Sequence, residues 1–387
     1  MHELTRRSAF AAGVVAVWGW PREGRPLPGP GAAFRLPAAP AADEPPLFTS
    51  GFIDHDPPLA YVHCPSICER AAGGLACAWY AGAHELAADV AVWMATAAAD
   101  EAGGATEWAA PRLVVDRRRA SRDLGRFVDR VGNAVIFGDD GGRLWLVYVT
   151  IAVGGWSGST LNACSSTDGG VTWTAGRRLP LSPFFNVSEL VRAAPVRLDS
   201  GEIVLPVYHE CVGKFPELVW LAPEADGLRA VKTRLAGGRS FLQPAVVPLD
   251  GRRCLTLLRC HAASRRLMLQ RSEDGGRTWS TPEPTPLPNP DASVAAVRLS
   301  DGTVLLACNL AREGRATLDL VRFDPAAAFW QRVATLDDEP GERFAYPYMM
   351  HDRRGRVHLV YTWKMRRVRH VVMNEAWIRG RPAERMT

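Results

Sequence analysis

The sequence predicts an all-β fold, a six-bladed β-propeller, and three observations lead to that prediction. A turn containing glycine followed by an apolar strand recurs six times, an eight-residue turn motif occurs twice, and no stretch has a sustained helical period. Repeats of this kind, each made of a few short strands, are typical of propeller blades. The chain has 387 residues, 47% of them hydrophobic, which is enough for a large buried core.

The first 46 residues are predicted to lie outside the propeller. Arg6 and Arg7 precede a short apolar run over residues 8–20, an order similar to a twin-arginine export signal. The run is too short to predict a membrane span, and residues 21–46 have the Pro-, Ala- and Gly-rich composition of a linker. We therefore assign residues 1–46 to a signal-like or disordered segment with a linker, and residues 47–387 to the propeller. A periplasmic or secreted protein is expected, with a cytoplasmic one as the alternative.

The six repeats follow this segment. The apolar residues 47–53 precede the first repeat, and we expect them to supply a closing strand to the last blade. The spacing between repeats, roughly 50 to 70 residues, leaves room for four strands per blade. The glycines that begin the repeats are Gly74, Gly142, Gly201, Gly251, Gly302 and Gly355.

The motif S-x-D-G-G-x-T-W occurs at residues 166–173 and again at residues 272–279. Aspartate accepts main-chain N–H bonds across a tight turn, glycine supplies positive φ, and tryptophan packs beneath the turn. Each copy follows an apolar run, so we predict a hairpin between two outer strands. We expect Asp168 and Asp274 to stabilise these turns and to make no contact with a ligand.

Composition narrows the range of ligands. The net charge of +5 mildly favours an anionic ligand, but no basic run of the nucleic-acid-binding kind is present. The eight cysteines are scattered and form no zinc-binding spacing with histidine, so we expect neither a metal nor a cofactor.

The eight-residue motif resembles the Asp box of the sialidase (BNR-repeat) propellers. The stretches GNAVIFGDDGGRLWLVY, LQPAVVPLDG and FAYPYMM are also similar to bacterial BNR-repeat proteins that are often called predicted neuraminidases. The resemblance covers about residues 55–378. It implies a six-bladed propeller of the sialidase type and an acidic glycan or glycoconjugate as the partner.

Sialidases hold the substrate carboxylate with three arginines, because a planar guanidinium forms two parallel bonds to a carboxylate. By resemblance, Arg259 corresponds to the second of these arginines and Arg315 to the third. The first corresponds to a stretch that contains His63 and no arginine. Tyr346 resembles the catalytic tyrosine, the nucleophile of these retaining enzymes.

The resemblance also implies positions for the proton-transferring groups. Gln243 stands where the family has the glutamate that activates the tyrosine, and an amide cannot take the phenolic proton. Glu210 or Glu189 could substitute for this base if the channel brings either close. Asp89 is the first choice for the acid/base and Glu85 the second.

Two further candidates follow from position alone. In a propeller, polar residues at corresponding places in each repeat converge on one end of the channel. Arg192 and Asn309 have such positions, and we predict that they bind substrate.

The sequence therefore predicts a sialidase-like exo-glycosidase that acts on a terminal acidic sugar through a retaining mechanism. One alternative is a carbohydrate-binding propeller without catalysis. The other is a lyase that acts on a uronate-containing polysaccharide with Tyr346 or His63 as base. The sugar, the linkage and the oligomeric state stay open.

Overall fold

The computed structural model describes residues 27–29, 31–41, 44–53, 60–98, 107–182, 186–382 and 384–386. In these residues the chain forms six antiparallel sheets of four or five strands, and the sheets follow one another around a ring. The predicted six-bladed β-propeller is therefore confirmed. The blades are numbered I to VI in the chain order of their first strands.

Strand β1 (Phe48–Phe52) precedes blade I. Blade I contains β2 (Tyr61–Glu69), β3 (Leu75–Gly82), β4 (Ala91–Ala97) and β5 (Arg112–Val115). Helix α1 (Arg117–Leu124) leads to blade II, which contains β6 (Arg130–Gly138), β7 (Leu144–Ile151), β8 (Ser159–Ser166) and β9 (Arg177–Arg178). A 3₁₀ turn (Gly155–Gly158) joins β7 to β8. Blade III contains β10 (Glu189–Val191), β11 (Val196–Arg197), β12 (Ile203–His209), β13 (Phe215–Glu224) and β14 (Gly227–Arg234).

Blade IV contains β15 (Phe241–Pro248), β16 (Cys254–Cys260), β17 (Arg266–Ser272) and β18 (Glu283–Pro288). Blade V contains β19 (Ala295–Arg298), β20 (Val304–Cys308), β21 (Thr317–Asp324) and β22 (Phe329–Asp338). Blade VI contains β23 (Phe344–His351), β24 (Val357–Trp363) and β25 (Arg367–Met373). Helix α2 (Glu375–Arg379) and strand β26 (Glu384–Met386) complete the chain.

The first strands of the blades surround the central channel. Strands β2, β6, β10 with β11, β15, β19 and β23 each contact the first strand of both neighbouring blades, which closes the ring. We call the end of the channel at which these strands begin the upper face, and the end at which they finish the lower face. The loops after every second strand and after every outermost strand lie on the upper face.

Both ends of the chain add a strand to a blade. Strand β1 pairs antiparallel with β25 and is the outermost strand of blade VI, so the predicted closing strand is confirmed. Strand β26 pairs with β22 and gives blade V a fifth strand, which the sequence analysis did not predict. The ring is thus closed by pairing between the N-terminal part of the chain and its last blade.

The described residues between 27 and 41, which we call the N-terminal strap, lie across the lower face. Phe34 is 4% exposed and joins the apolar core of blade III and its neighbour. Arg35 forms two bonds of 2.8 Å to the carboxylate of Asp140, in the turn after the first strand of blade II. The amide of Gly29 donates to the carboxylate of Glu202 in blade III. The predicted signal-like residues 1–26 lie outside the described residues, and the domain boundary at residue 46 stays a prediction.

The two Asp-box motifs form the turns between β8 and β9 and between β17 and β18, as predicted. The carboxylate of Asp168 accepts the amide of Thr172 at 2.9 Å, and the indole of Trp173 donates to Gly170. Hydrogen bonds from Thr172 hold the pKa of Asp168 well below its usual value. Gly170 has φ of +94°, and a Cβ there would lie 2.4 Å from Cε of Met94. Both turns lie on the lower face, so these aspartates stabilise the fold at the end of the channel opposite Tyr346.

Outside the strands, the described residues contain only short helices. Helix α1 begins after Asp116, whose side chain accepts the amide of Arg119 at 2.7 Å, and ends at the left-handed Gly125. None of the helices in the described ranges is long and apolar enough to span a membrane.

Candidate functional site

Three first strands share an irregularity near the upper face. In β2, β15 and β23 the register with the second strand shifts, and the shifts fall at Cys64, Gln243 and Tyr346, each followed by proline. These residues have φ of 52°, 52° and 54°, which is unusual for residues other than glycine. A bulge re-aims the side chain that it carries. Gln243 and Tyr346 come from blades IV and VI, and both contact Arg259.

Tyr346 lies at the centre of the site and is half-buried. Its phenolic oxygen lies 3.4 Å from Nη1 of Arg259. The guanidinium carbons of Arg192 and Arg315 each lie 5.3 Å from the centre of its ring. The ring of His63 packs edge-on against it, with 4.4 Å between centroids. Tyr346 is therefore surrounded by three cations and one imidazole.

The two predicted carboxylate-binding arginines are linked through one residue, Asp291. Its carboxylate accepts Nε of Arg259 at 2.6 Å, and its main-chain oxygen accepts Nη2 of Arg315 at 2.8 Å. The other carboxylate oxygen lies 2.8 Å from Nδ1 of His261. Nη2 of Arg259 and Nη1 of Arg315 form no hydrogen bond with any described residue, so each guanidinium keeps N–H groups for a ligand.

His63 occupies the place at which the resemblance expects the first arginine. It is 3% exposed, and its Nδ1 has no hydrogen-bond partner among the described residues. Burial lowers the pKa of His63 well below its usual value, and the neighbouring Arg315 and Arg192 lower it further. A neutral imidazole thus stands where a cation was expected.

Gln243 belongs to a hydrogen-bonded chain that joins blades II, III and IV. Its Oε1 accepts Nη1 of Arg259 at 3.2 Å, and its Nε2 donates to the hydroxyl of Tyr208 at 3.1 Å. Asn133 also donates to this hydroxyl, at 3.2 Å. Burial raises the pKa of Tyr208 well above its usual value, and nearby Glu210 adds to this effect. Because arginine only donates, it fixes the orientation of the Gln243 amide.

The two candidate acids lie in the loop between β3 and β4, at the upper edge of blade I. Both carboxylate oxygens of Asp89 accept the amide of Ala83 at 3.2 Å, so Asp89 ties the two ends of this loop together. Glu85 accepts the hydroxyl of Tyr61 at 3.3 Å, and the Tyr61 ring lies 5.2 Å from that of His63. Glu85 is therefore the carboxylate of this loop that is connected to the wall of the site.

Glu210 and Glu189 are engaged by lysines. Glu210 lies 3.4 Å from Nζ of Lys214. Glu189 lies 2.7 Å from Nζ of Lys232, which is also 3.3 Å from Glu217. Both glutamates therefore have a counter-ion outside the immediate surroundings of Tyr346.

Glu189, His209 and Glu217 are the one group in the described ranges whose ligand atoms, within 4.8 Å of one another, could hold a metal ion. The ammonium of Lys232 contacts both carboxylates and already supplies a positive charge there. Burial lowers the pKa of His209 to about 4. These contacts favour a structural ion-pair cluster at this position.

Two of the predicted substrate-binding residues contact the main chain. Arg192 is 2% exposed and donates to the carbonyl oxygens of Pro65 and Pro347, at 3.1 and 2.9 Å, and to that of Tyr346. Asn309 is fully buried and donates at 2.9 Å to the carbonyl oxygen of Phe344. Their contacts support the strand ends beneath the site.

Sequence reasoning missed three residues of the site. Asp291 lies in the loop after β18 with φ of 59° and was not selected as a site residue. Tyr208 and Asn133 were not selected, because nothing in the sequence pairs them with Gln243. The signal that was available for Tyr208 is its place at the end of a second strand, two residues before Glu210.

A family model described as "BNR repeat-like domain" matches residues 73–359 of the chain. The protein belongs to this family. The predicted resemblance to sialidase-like BNR-repeat proteins is thereby confirmed, and the match includes at least one strand of every blade. No curated protein sequence matches the chain.

Several solved structures share the fold at low sequence identity. A protein of unknown function from Dyadobacter fermentans is 15% identical, with a TM-score of 0.66 over 84% of this chain and 97% of the other. The Hadza microbial sialidase Hz136 is 13% identical, with a TM-score of 0.68 over 84% of this chain and 68% of the other. The intramolecular trans-sialidase from Ruminococcus gnavus, solved with oseltamivir carboxylate, is 13% identical, with a TM-score of 0.64 over 86% of this chain and 98% of the other. At this identity the likeness establishes the six-bladed fold of the BNR-repeat-like chain.

Proposed function

We propose that the BNR-repeat-like protein is a sialidase-like exo-glycosidase that acts on a terminal acidic sugar. The observation that carries this proposal is the contact between Arg259 and the phenolic oxygen of Tyr346, with Arg315 against the same ring. A carboxylate bound by these two guanidinium groups would hold the adjoining anomeric carbon next to the phenol. A phenol suits this position because a carboxylate nucleophile would be repelled by the substrate's own carboxylate.

In the proposed mechanism Tyr346 loses its phenolic proton to a solvent water molecule, its oxygen attacks the anomeric carbon, and the bond from that carbon to the leaving oxygen breaks. Glu85 is the preferred donor of the proton to the leaving oxygen, because it contacts Tyr61 in the wall of the site. Asp89 is the second candidate and lies in the same loop. Water then attacks the anomeric carbon, and the bond from that carbon to the oxygen of Tyr346 breaks. The same carboxylate accepts the proton of the attacking water.

A second candidate function is glycan binding without catalysis. It is favoured by Gln243, because its amide occupies the place of the expected base and is held between Arg259 and Tyr208. No carboxylate of the described residues accepts a hydrogen bond from the hydroxyl of Tyr346. A site of this kind would bind an acidic sugar through Arg259 and Arg315 without a group that removes the phenolic proton.

The two functions are separated by assaying hydrolysis of a fluorogenic sialoside by the full chain, beside Tyr346→Phe and Glu85→Gln. The glycosidase proposal expects turnover by the parent that falls by at least about a hundredfold in each variant. Binding of sialic acid that persists in Tyr346→Phe, with no turnover by the parent, would support the binding function instead. Ultraviolet absorbance of an unsaturated product from a uronate polymer would indicate the lyase alternative.

A further inference from the structure

The upper face carries unpaired positive charge in the loops of blades IV to VI, in addition to the exposed Arg118 and Arg122 of helix α1 beside blade I. Five exposed arginines occupy its loops on the side of blades IV to VI. Within the described ranges, none of their side chains forms a hydrogen bond or ion pair. They are Arg239, Arg265, Arg312, Arg343 and Arg366.

Arginines elsewhere on the propeller are often neutralised. On the lower face, Arg35 and Arg197 both bind the carboxylate of Asp140, and Arg353 lies 3.7 Å from Glu69. An exposed arginine with an available carboxylate commonly forms such a pair.

The five exposed arginines of blades IV to VI lack such a pair within the described part of the chain. Their loops also carry Glu313, Glu339 and Glu342, the last two of which pair with Lys364, so the loops keep a smaller net positive charge.

Main-chain hydrogen bonds join these loops into a continuous arc. The amide of Lys214 donates to Arg239, and the amide of Asn289 donates to Arg265. The guanidinium of Arg315 binds the carbonyl oxygen of Asp291 in the loop that follows β18. The loops of blade IV are thereby tied to those of blade V.

The arc continues around blades V and VI. The amide of Phe344 donates to Arg315 at 2.8 Å, and the amide of Lys364 donates to Arg343 at 2.9 Å. Each arginine of the arc lies in or beside a loop bonded in this way. The arginines consequently lie along one edge of the pocket, in loops that hydrogen bonds connect to one another.

The arc reaches the pocket itself. Arg343 is among the cations that lower the pKa of the buried His63. Arg315 lies in the same loop as Arg312 and packs against Tyr346. An anionic chain whose last sugar occupied the pocket would therefore pass directly onto the arginines of the rim.

The opposite edge differs in charge. The loop between β3 and β4 in blade I carries the carboxylates of Glu85 and Asp89 and no lysine or arginine. A polyanion leaving the pocket toward blade I would meet like charge, which disfavours that direction. The carboxylates of this loop thus disfavour a path over it, whereas the five arginines favour a path over the loops of blades IV to VI.

We propose that this arginine arc is an extended binding site for an acidic oligosaccharide, whose terminal residue enters the pocket at Tyr346. The ligand class is a glycan chain with a carboxylate on several successive sugars, rather than a single acidic sugar on a neutral carrier. The inference rests on the proposed function for the choice of a glycan. The arc itself is independent of whether Tyr346 is catalytic.

The test compares affinities for one sialic acid, an α2,8-linked sialic acid tetramer and a galacturonate tetramer. The measurements use calorimetry on the Tyr346→Phe full chain, so that the ligand stays intact. The expected result is a tighter affinity for one of the tetramers than for the single sugar. We expect the triple variant Arg239→Gln, Arg265→Gln, Arg312→Gln to bind that tetramer about tenfold more weakly, while its affinity for the single sugar is unchanged.

The matched control is Arg118→Gln, Arg122→Gln, Arg252→Gln, which removes three exposed charges outside the arc. It should retain the parent's affinity for the tetramer. Equal tetramer affinity in the parent and in the arc variant would overturn the inference. So would equally tight binding of a single-stranded DNA tetramer, which would make the arc a general polyanion surface.

Failure of the proposed function looks different. If the unmodified chain turns over no sialoside but its tetramer affinity still depends on the arc, hydrolysis is refuted and the extended site stands. The acidic polymer bound more tightly, sialic acid or uronate, then identifies the source of the carboxylates.

Discussion

The guanidinium of Arg192 donates to the main-chain oxygen of Tyr346, although the two residues are separated by 154 positions in the chain. It also donates to the carbonyl oxygens of Pro65 and Pro347. This buried arginine therefore takes up the carbonyl groups that the bulges of blades I and VI leave without a partner in the sheet. Its place beneath the tyrosine ring makes it a support for the site, at a distance from the space a ligand would fill.

Replacing Arg192 should cost folding stability before it affects binding. Arg192→Met leaves three buried carbonyl groups unpaired, and we expect a loss of about 3 kcal/mol or more in the free energy of unfolding. Denaturation in urea checks this. Arg315→Gln is the control, because Arg315 is partly exposed and should weaken ligand binding with little change in stability. If Arg192→Met and the parent unfold at the same urea concentration, Arg192 does not support the fold in this way.

Gln243→Glu should increase hydrolysis. The new carboxylate would lie beside Arg259 and the hydroxyl of Tyr208, and it would supply the missing proton acceptor for Tyr346. A positioned general base contributes about a hundredfold or more, so a gain of at least tenfold in kcat is expected. Gln243→Asn should give no gain, and Gln243→Glu combined with Tyr346→Phe should be inactive. A Gln243→Glu variant with unchanged kcat would show that proton removal from Tyr346 does not limit the reaction.

The stability of the protein should fall as the pH decreases below about 6.5, partly through His63. The folded pKa of His63 lies well below its unfolded value, so the unfolded chain binds the proton first and stability rises with pH. This contribution is on the order of 1 kcal/mol between pH 7.5 and 5.5. His63→Asn should reduce the pH dependence by that amount, measured as the difference in unfolding free energy. The same pH dependence in His63→Asn and in the parent would refute the assignment.

Removal of the N-terminal strap should destabilise the propeller. A chain that begins at residue 43 loses the burial of Phe34, the Arg35–Asp140 pair and the bond from Gly29 to Glu202. Phe34→Ala alone should cost about 3 kcal/mol, in keeping with loss of a buried phenylalanine. Thermal unfolding of chains that begin at residues 27 and 43 provides the comparison. The prediction is wrong if both chains unfold at the same temperature.

The repeats predicted the fold because the strands of each blade follow one another within a short stretch of sequence. The glycine turns and apolar runs are local signals, and so are the Asp boxes. The strap was not predicted, because in the sequence Phe34 is an isolated apolar residue in a Pro- and Ala-rich stretch. Its burial depends on a surface formed by blade III and its neighbour.

The site was predictable in part for the same reason. His63, Gln243, Arg259, Arg315 and Tyr346 were selected by position in the repeat and by resemblance, and the structure brings their side chains together. The direction of Arg192 and the role of Asp291 depend on bulges and on contacts between blades. No periodic pattern in the sequence encodes such contacts.

At the bulges of Cys64, Gln243 and Tyr346, the identity of the side chain is independent of the packing of the strand, although the two usually constrain each other. Below each bulge the strand keeps its ladder and its apolar contacts, whereas the bulged residue lies outside that regular pairing. A mutation at such a position can therefore exchange one functional group for another while the blade below keeps its structure. Exchange of a functional group at these positions meets little resistance from the scaffold, and glutamine at 243 is compatible with a stably folded ring.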